Sequence, residues 1–367
     1  MVLRVDILII IYMILCVCVL AFDLVYLKKG KPGERQWHRG EQRFKKKVSA
    51  LISEGGTITR TAKKELVDKL HRFSYFMCFH DLVMDYLAEE ETAESIRQWI
   101  RENDDLLLEV HEDFVDSRRI NKKAFFAYLV WQYNLCQSQR GRRFVVLMHR
   151  LVLENSMYCR ENALWALYVG GTTADVIKAY KLMIDHGIVH SQKLVTDGLL
   201  AFRGNKQELA EALWDNRKIF SVHYGVAFIN FVRMASSGFE ERFFQLLLNE
   251  KADAEIRIAA VRYFRSHPYP EASKYMRGIV SNWRNHDWEI VSQSALSLER
   301  DIQSKETVLS LVEGAHSTNW YTRKNSAESL SRLEDEELLK LIVINEDDRY
   351  ANEMVNYIIE KRKEEKK

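Results

Sequence analysis

The chain has 367 residues, of which 47% are apolar, and a formal charge of +2; it can build a continuous core and lacks the overall basicity of a nucleic-acid binder. Only three prolines and 15 glycines interrupt it, and no long alternating Val/Ile/Thr run with hairpin turns is present, which points away from a sheet-rich fold. The five cysteines have no regular spacing, which speaks against a secreted disulfide framework and for buried thiols in a reducing compartment.

From the N-terminus, residues 7–27 are apolar apart from Asp23. At 1.5 Å per residue they make about 31 Å of helix, matching a hydrocarbon core of about 30 Å, so 1–27 reads as a single transmembrane anchor. A cleaved signal peptide would need a small-x-small site, but Val19, Leu20, Ala21 and Phe22 do not supply one. Leu15 and Val17, ahead of Cys16 and Cys18, are too large for a lipoprotein cleavage box.

A polybasic juxtamembrane linker, 28–47, follows. Lys28, Lys29, Lys31, Arg35, Arg39, Arg43, Lys45, Lys46 and Lys47 outweigh Glu34 and Glu41 to give +7, leaving −5 for the rest of the chain. Positive charge is retained on the cytoplasmic side, so the expected topology is single-pass in the inner (cytoplasmic) membrane, with the N-terminus outside and the body in the cytoplasm. Anionic lipid headgroups are the expected partner of these nine side chains, at about 1 kcal/mol each.

Residues 48–154 read as a helical N-terminal or capping region, with degenerate repeats as the other reading. Thr59 or Thr61 caps a helix bearing the amphipathic set Leu66, Val67, Leu70, Phe73 and Phe76. Further helices are expected over 92–101, 106–117, 122–137 and 142–153.

Complete chemical sites are missing from this stretch. His111-Glu112 begins like a zinc-protease helix, but Val115 stands where the second histidine belongs. Cys78, His80 and Asp81 are ligand types, yet neighbours on a helix point in different directions. No catalytic, cofactor-binding or metal-binding set is assembled, so the expectation is a protein that is not an enzyme and uses no cofactor. Arg140, Arg142 and Arg143 form a candidate contact patch, or simply a solvated turn.

From 155 to 367 a short pattern returns about every 32 residues, followed by a charged tail. Its clearest copy holds Asp253, Ile256, Arg257, Ala259 and Ala260; the other copies align on Arg160, Lys193, Tyr224, Ser292, Arg323 and Asn352, at spacings of 33, 31, 33, 35, 31 and 29. Ala163, Ala227, Ala260, Ala295 and Ala327 follow three or four residues after their anchors, where a small side chain lets one helix cross the next closely. A fixed period of this length marks stacked helix pairs.

Aromatic residues recur just before the anchors: Tyr158, Trp288, Trp320, Tyr321 and Tyr350. They either staple helix starts and fill gaps, or form a ladder of anchors for a protein partner.

The motif of Asp253, Ile256, Arg257, Ala259 and Ala260 resembles that of HEAT repeats in their short bacterial form; the copies at Arg160 and Arg323 match in part, the rest only in apolar spacing. Tetratricopeptide and ankyrin landmarks do not recur at fixed offsets. The resemblance implies an all-α fold, a right-handed α-solenoid of stacked HEAT-like pairs, here preceded by the one transmembrane helix read from 7–27. Together they give the expectation of a membrane-tethered scaffold or adaptor for a membrane-associated protein, and the resemblance implies a glycosyltransferase of envelope polysaccharide synthesis as one such partner. The alternative within the resemblance is an enzyme or nucleic-acid processor of the lyase or DNA glycosylase type. The charge distribution favours the scaffold, with no nucleic acid and no metal as partners.

Overall fold

The computed structural model describes residues 5–333, 339, 343 and 348–365, with backbone alone for 5–9 and 24–37. The described residues form helices joined by turns, with no strand among them, and divide into two compact units, 1–147 and 148–367.

The first unit begins with α1, Val5–Glu54, so the apolar and basic stretches share one helix. Side chains 10–23 are all exposed. Among the described residues no helix is long and apolar enough to cross a membrane. Both ends of the 7–27 stretch, together with the side chains of Lys28, Lys29, Lys31 and Arg35, lie outside the described side chains. Where description resumes, Phe44 and Val48 are buried, and the Phe44 ring meets Tyr75 of α3 edge-on at 5.1 Å.

The amphipathic stripe predicted to be one helix across Leu66 and Phe76 is two, α2 (Arg60–Leu70) and α3 (Phe73–Ala88). Thr59 is the cap, its hydroxyl accepting from the Ala62 amide. The apolar spacing continues unbroken across the corner because both helices turn the same stripe toward one aromatic core, where Phe76 and Phe114 lie 4.2 Å apart. α4 (Glu90–Glu102), α5 (Asp105–Val115) and α6 (Ile120–Gln132) follow. α6 stops short of the predicted 137 because Asn134 takes a left-handed conformation, φ 50°, which ends the helix without a glycine. α7, Gly141–Leu151, comes next in the chain.

In the second unit the helices alternate between two rows. The first row holds α8 (Met157–Gly170), α10 (Gln192–Leu200), α12 (Val222–Ala235), α14 (Ala254–Ser266), α16 (Trp288–Ser297), α18 (Trp320–Leu330) and the C-terminal helix Arg349–Glu365. The second holds α9 (Thr173–Asp185), α11 (Lys206–Asp215), α13 (Glu240–Leu248), α15 (Pro270–Ser281) and α17 (Lys305–Ala315). Each first-row helix packs on the next of its row, while α9 meets α11 and α15 meets α17. The 32-residue period therefore corresponds to one helix pair.

All seven anchors fall within the first five residues of first-row helices. The five alanines are fully buried where those helices cross. The anchor arginine has a structural role. Arg257 donates from Nε to the Leu247 carbonyl at 3.1 Å, and Arg160 from Nη1 to the Glu154 carbonyl at 2.7 Å. In both, a fixed cation satisfies a carbonyl at or near the end of the preceding helix, where the helix dipole also favours positive charge. Hydroxyls tie successive helices of the first row together, as when Ser297 donates to the Val261 carbonyl at 3.0 Å and Ser329 to the Ala295 carbonyl at 2.8 Å.

Candidate functional site

Three first-row helices, α16, α18 and the C-terminal one, start from the same kind of sequence: an Asp or Asn, then an aromatic within two residues. Asn319 accepts from the Tyr321 and Thr322 amides at 2.9 and 3.1 Å, and Asp348 accepts from the Ala351 amide at 3.0 Å. Such caps fix where α18 and the C-terminal helix begin, whereas Asp287 makes no side-chain cap at the start of α16. The aromatics that follow, Trp288, Trp320, Tyr321 and Tyr350, are thereby brought to one corner of successive repeats.

These rings meet. Trp288 stacks on Tyr321 at 5.3 Å with 20° between planes, and Trp320 meets Tyr321 edge-on at 5.0 Å. Arg323 lies over the Tyr350 ring at 5.3 Å and Lys324 over Trp320 at 5.8 Å. Arg323 thus departs from Arg160 and Arg257: rather than capping the previous helix, it covers a ring of the next repeat. Tyr158, at the start of α8, stands apart from this group.

None of these rings is buried: Trp288 is 43% exposed, Trp320 49%, Tyr321 53%, Tyr350 67% and Tyr158 74%. Tyr357, seven residues beyond Tyr350 on the same helix face, is half exposed and was not singled out by the sequence pattern; its signal was the two-turn spacing. Two open grooves flank the row. One of about 460 Å³ lies between Trp283, His286, Trp288 and Asn319, the other, of about 420 Å³, between Trp320, Tyr350, Glu353 and Tyr357.

The other residues noted in the sequence have structural surroundings. His80 is buried with Nδ1 3.0 Å from the Tyr133 hydroxyl, and burial lowers its pKa. Burial likewise pushes the Cys78 thiol up, away from the reactive thiolate. His111 places Nδ1 2.5 Å from the Leu108 carbonyl. Among the described residues, no group of three or more His, Cys, Asp or Glu could hold a metal ion.

Arg140, read as part of a contact patch, instead donates from Nη1 at 2.5 Å to the buried Asp104, whose other oxygen accepts the Arg140 amide at 2.8 Å. Of the described basic side chains near the start, Lys45 pairs with Glu41 at 3.1 Å and Lys47 with Glu65, while Arg39, Arg43 and Lys46 are exposed.

Comparison with protein-family models and with curated proteins finds no match to this chain.

Proposed function

We propose that the chain is a membrane-tethered scaffold: a right-handed α-solenoid of HEAT-like repeats, anchored by 7–27 with its body in the cytoplasm, that docks a membrane-associated protein on the aromatic row. The exposed, mutually contacting rings of Trp288, Trp320 and Tyr321 carry this reading. Tryptophan and tyrosine are the residues most enriched in binding hot spots, and here their neighbours fix them, so little side-chain freedom is lost on binding. A stable interface covers about 800 Å² per partner, more than a few half-buried rings supply, so the two flanking grooves belong to the docking surface. On this reading, confinement to a leaflet raises the effective concentration of the scaffold toward a membrane protein. The HEAT resemblance points to a glycosyltransferase of envelope polysaccharide synthesis as the partner.

The test is photocrosslinking in cells from a benzophenone side chain at position 321, with the same probe at exposed Val189 as the control. The expected product is one discrete adduct with an integral membrane protein, lost in Trp320→Ala and on removal of residues 1–27. Equal adducts from both positions, or an adduct indifferent to Trp320, would sink the reading.

A further inference from the structure

A second feature of the repeat unit does not involve the aromatic row. Between α11, α12, α13 and α14 lies a half-open cavity of about 280 Å³. Its floor and walls are apolar: Trp214, Phe220, Phe228, Phe239, Phe243 and Ile256 supply most of it. Packed interiors keep few voids larger than a water molecule, and apolar ones stay dry. At about 30 Å³ per water-sized unit, this one takes roughly nine units, the size of a medium-length alkyl chain.

The opening is maintained by a missing side chain. Gly225, on α12, lines the cavity, and a Cβ there would come within 2.8 Å of the Ile256 Cδ1. Ala210 and Ala252 keep the wall thin elsewhere. The frame around them is stiff, with Trp214 edge-on to Phe243 at 5.7 Å and Phe220 to Phe228 at 4.3 Å.

The mouth has a polarity of its own. Arg217 lies over the Trp214 ring at 4.4 Å and donates from Nη1 to the Trp214 carbonyl at 3.0 Å. Among the described residues no carboxylate pairs with it. The one acidic residue lining the opening, Asp253, accepts the Glu255 amide at 2.9 Å as the cap of α14. Exposed Ile219 and Val222 continue the apolar surface outward beside Arg217. The result is an apolar slot with a held guanidinium at its rim.

We propose that this cavity binds a single-chain amphiphile with a carboxylate head, a medium-chain fatty acid, with the alkyl chain in the slot and the carboxylate on Arg217. The site is independent of the partner surface, and neither stands or falls with the other.

The test uses the full-length chain in lipid nanodiscs with a decanoic acid bearing a terminal diazirine, adducts being mapped by tandem mass spectrometry after irradiation. Adducts are expected within 210–256 and should be displaced by unlabelled decanoate. Gly225→Leu, which fills the slot, should abolish them while the chain stays folded by circular dichroism. Ala252→Leu, on the loop at the wall, is the second plug and should do the same. Arg217→Gln should raise the decanoate needed for displacement by about ten-fold, the scale of one hydrogen bond to a charged group, and leave decanol unchanged. Adducts confined to the 7–27 stretch or undiminished by both plugs would overturn the proposal. So would decanol displacing the probe as well as decanoate does.

Discussion

Glu299 shows how one side chain can join three repeats. It follows α16 in a short turn, nearly buried, and accepts from Arg265 of α14 at 2.8 Å while Arg332, after α18, approaches to 3.5 Å. Burial alone would raise its pKa, but the Arg265 hydrogen bond and the charges of Arg265, Arg332 and Arg300 overcome that and hold it below the usual carboxylate range. Because the folded value lies below the unfolded one of about 4.3, the native state takes up the proton less readily than the unfolded chain. The contribution is therefore complete above about pH 4.3 and is lost as pH falls through the folded value. Both arginines are more than a third exposed, so solvent screening keeps the pair modest. Glu299→Gln should cost about 1–2 kcal/mol at pH 7 by urea unfolding. The gap between variant and parent should narrow as pH falls below about 4.3; a gap that stays constant on acidification would mean that packing, not charge, holds the turn.

At the scale of the element, the repeat was readable where its chemistry is local and unreadable where it is not. The 32-residue period and the five buried alanines follow from spacing alone, because a crossing point needs a small residue at a fixed place in each helix. A second period runs through the sequence: Ser156, Ser191, Ser221, Asp253, Asp287, Asn319 and Asp348 each stand immediately before a first-row helix. The corner between α2 and α3 was hidden because His71 and Arg72 carry no glycine or proline signal. The aromatics were visible as residues, but the contact of Trp288 with Tyr321, 33 positions apart, depends on how repeats stack.

Gly198 makes a similar point about crossing. An added Cβ would fall 2.3 Å from Cε2 of Tyr168, a buried ring tied through its hydroxyl to Tyr180. The ring has nowhere to move, so overpacking of about 1–3 kcal/mol outweighs the gain of about 1 kcal/mol in helix propensity. Gly198→Ala should lower the urea midpoint in the parent and raise it in a Tyr168→Leu background, a reversal that propensity alone does not produce.

For the whole molecule the decisive property is the uneven distribution of charge: +7 lies within 28–47 and −5 across everything else. On the proposed reading the anchor and the basic segment hold the chain at an anionic leaflet, which attracts 28–47 and repels the excess negative charge of the rest. The full-length chain should then stay with membranes through alkaline carbonate, and removal of residues 1–27 should release it. In the shortened chain, binding to phosphatidylserine vesicles at low salt should fall about five-fold for each of Arg39→Gln, Arg43→Gln and Lys46→Gln, the equivalent of about 1 kcal/mol apiece. Lys45→Gln and Lys47→Gln should lose less, because each also releases a carboxylate, Glu41 or Glu65, from its partner in the free protein. Equal losses at all five positions would show that the ion pairs are immaterial to lipid binding, and carbonate extraction of the full-length chain would remove the anchor from the proposal.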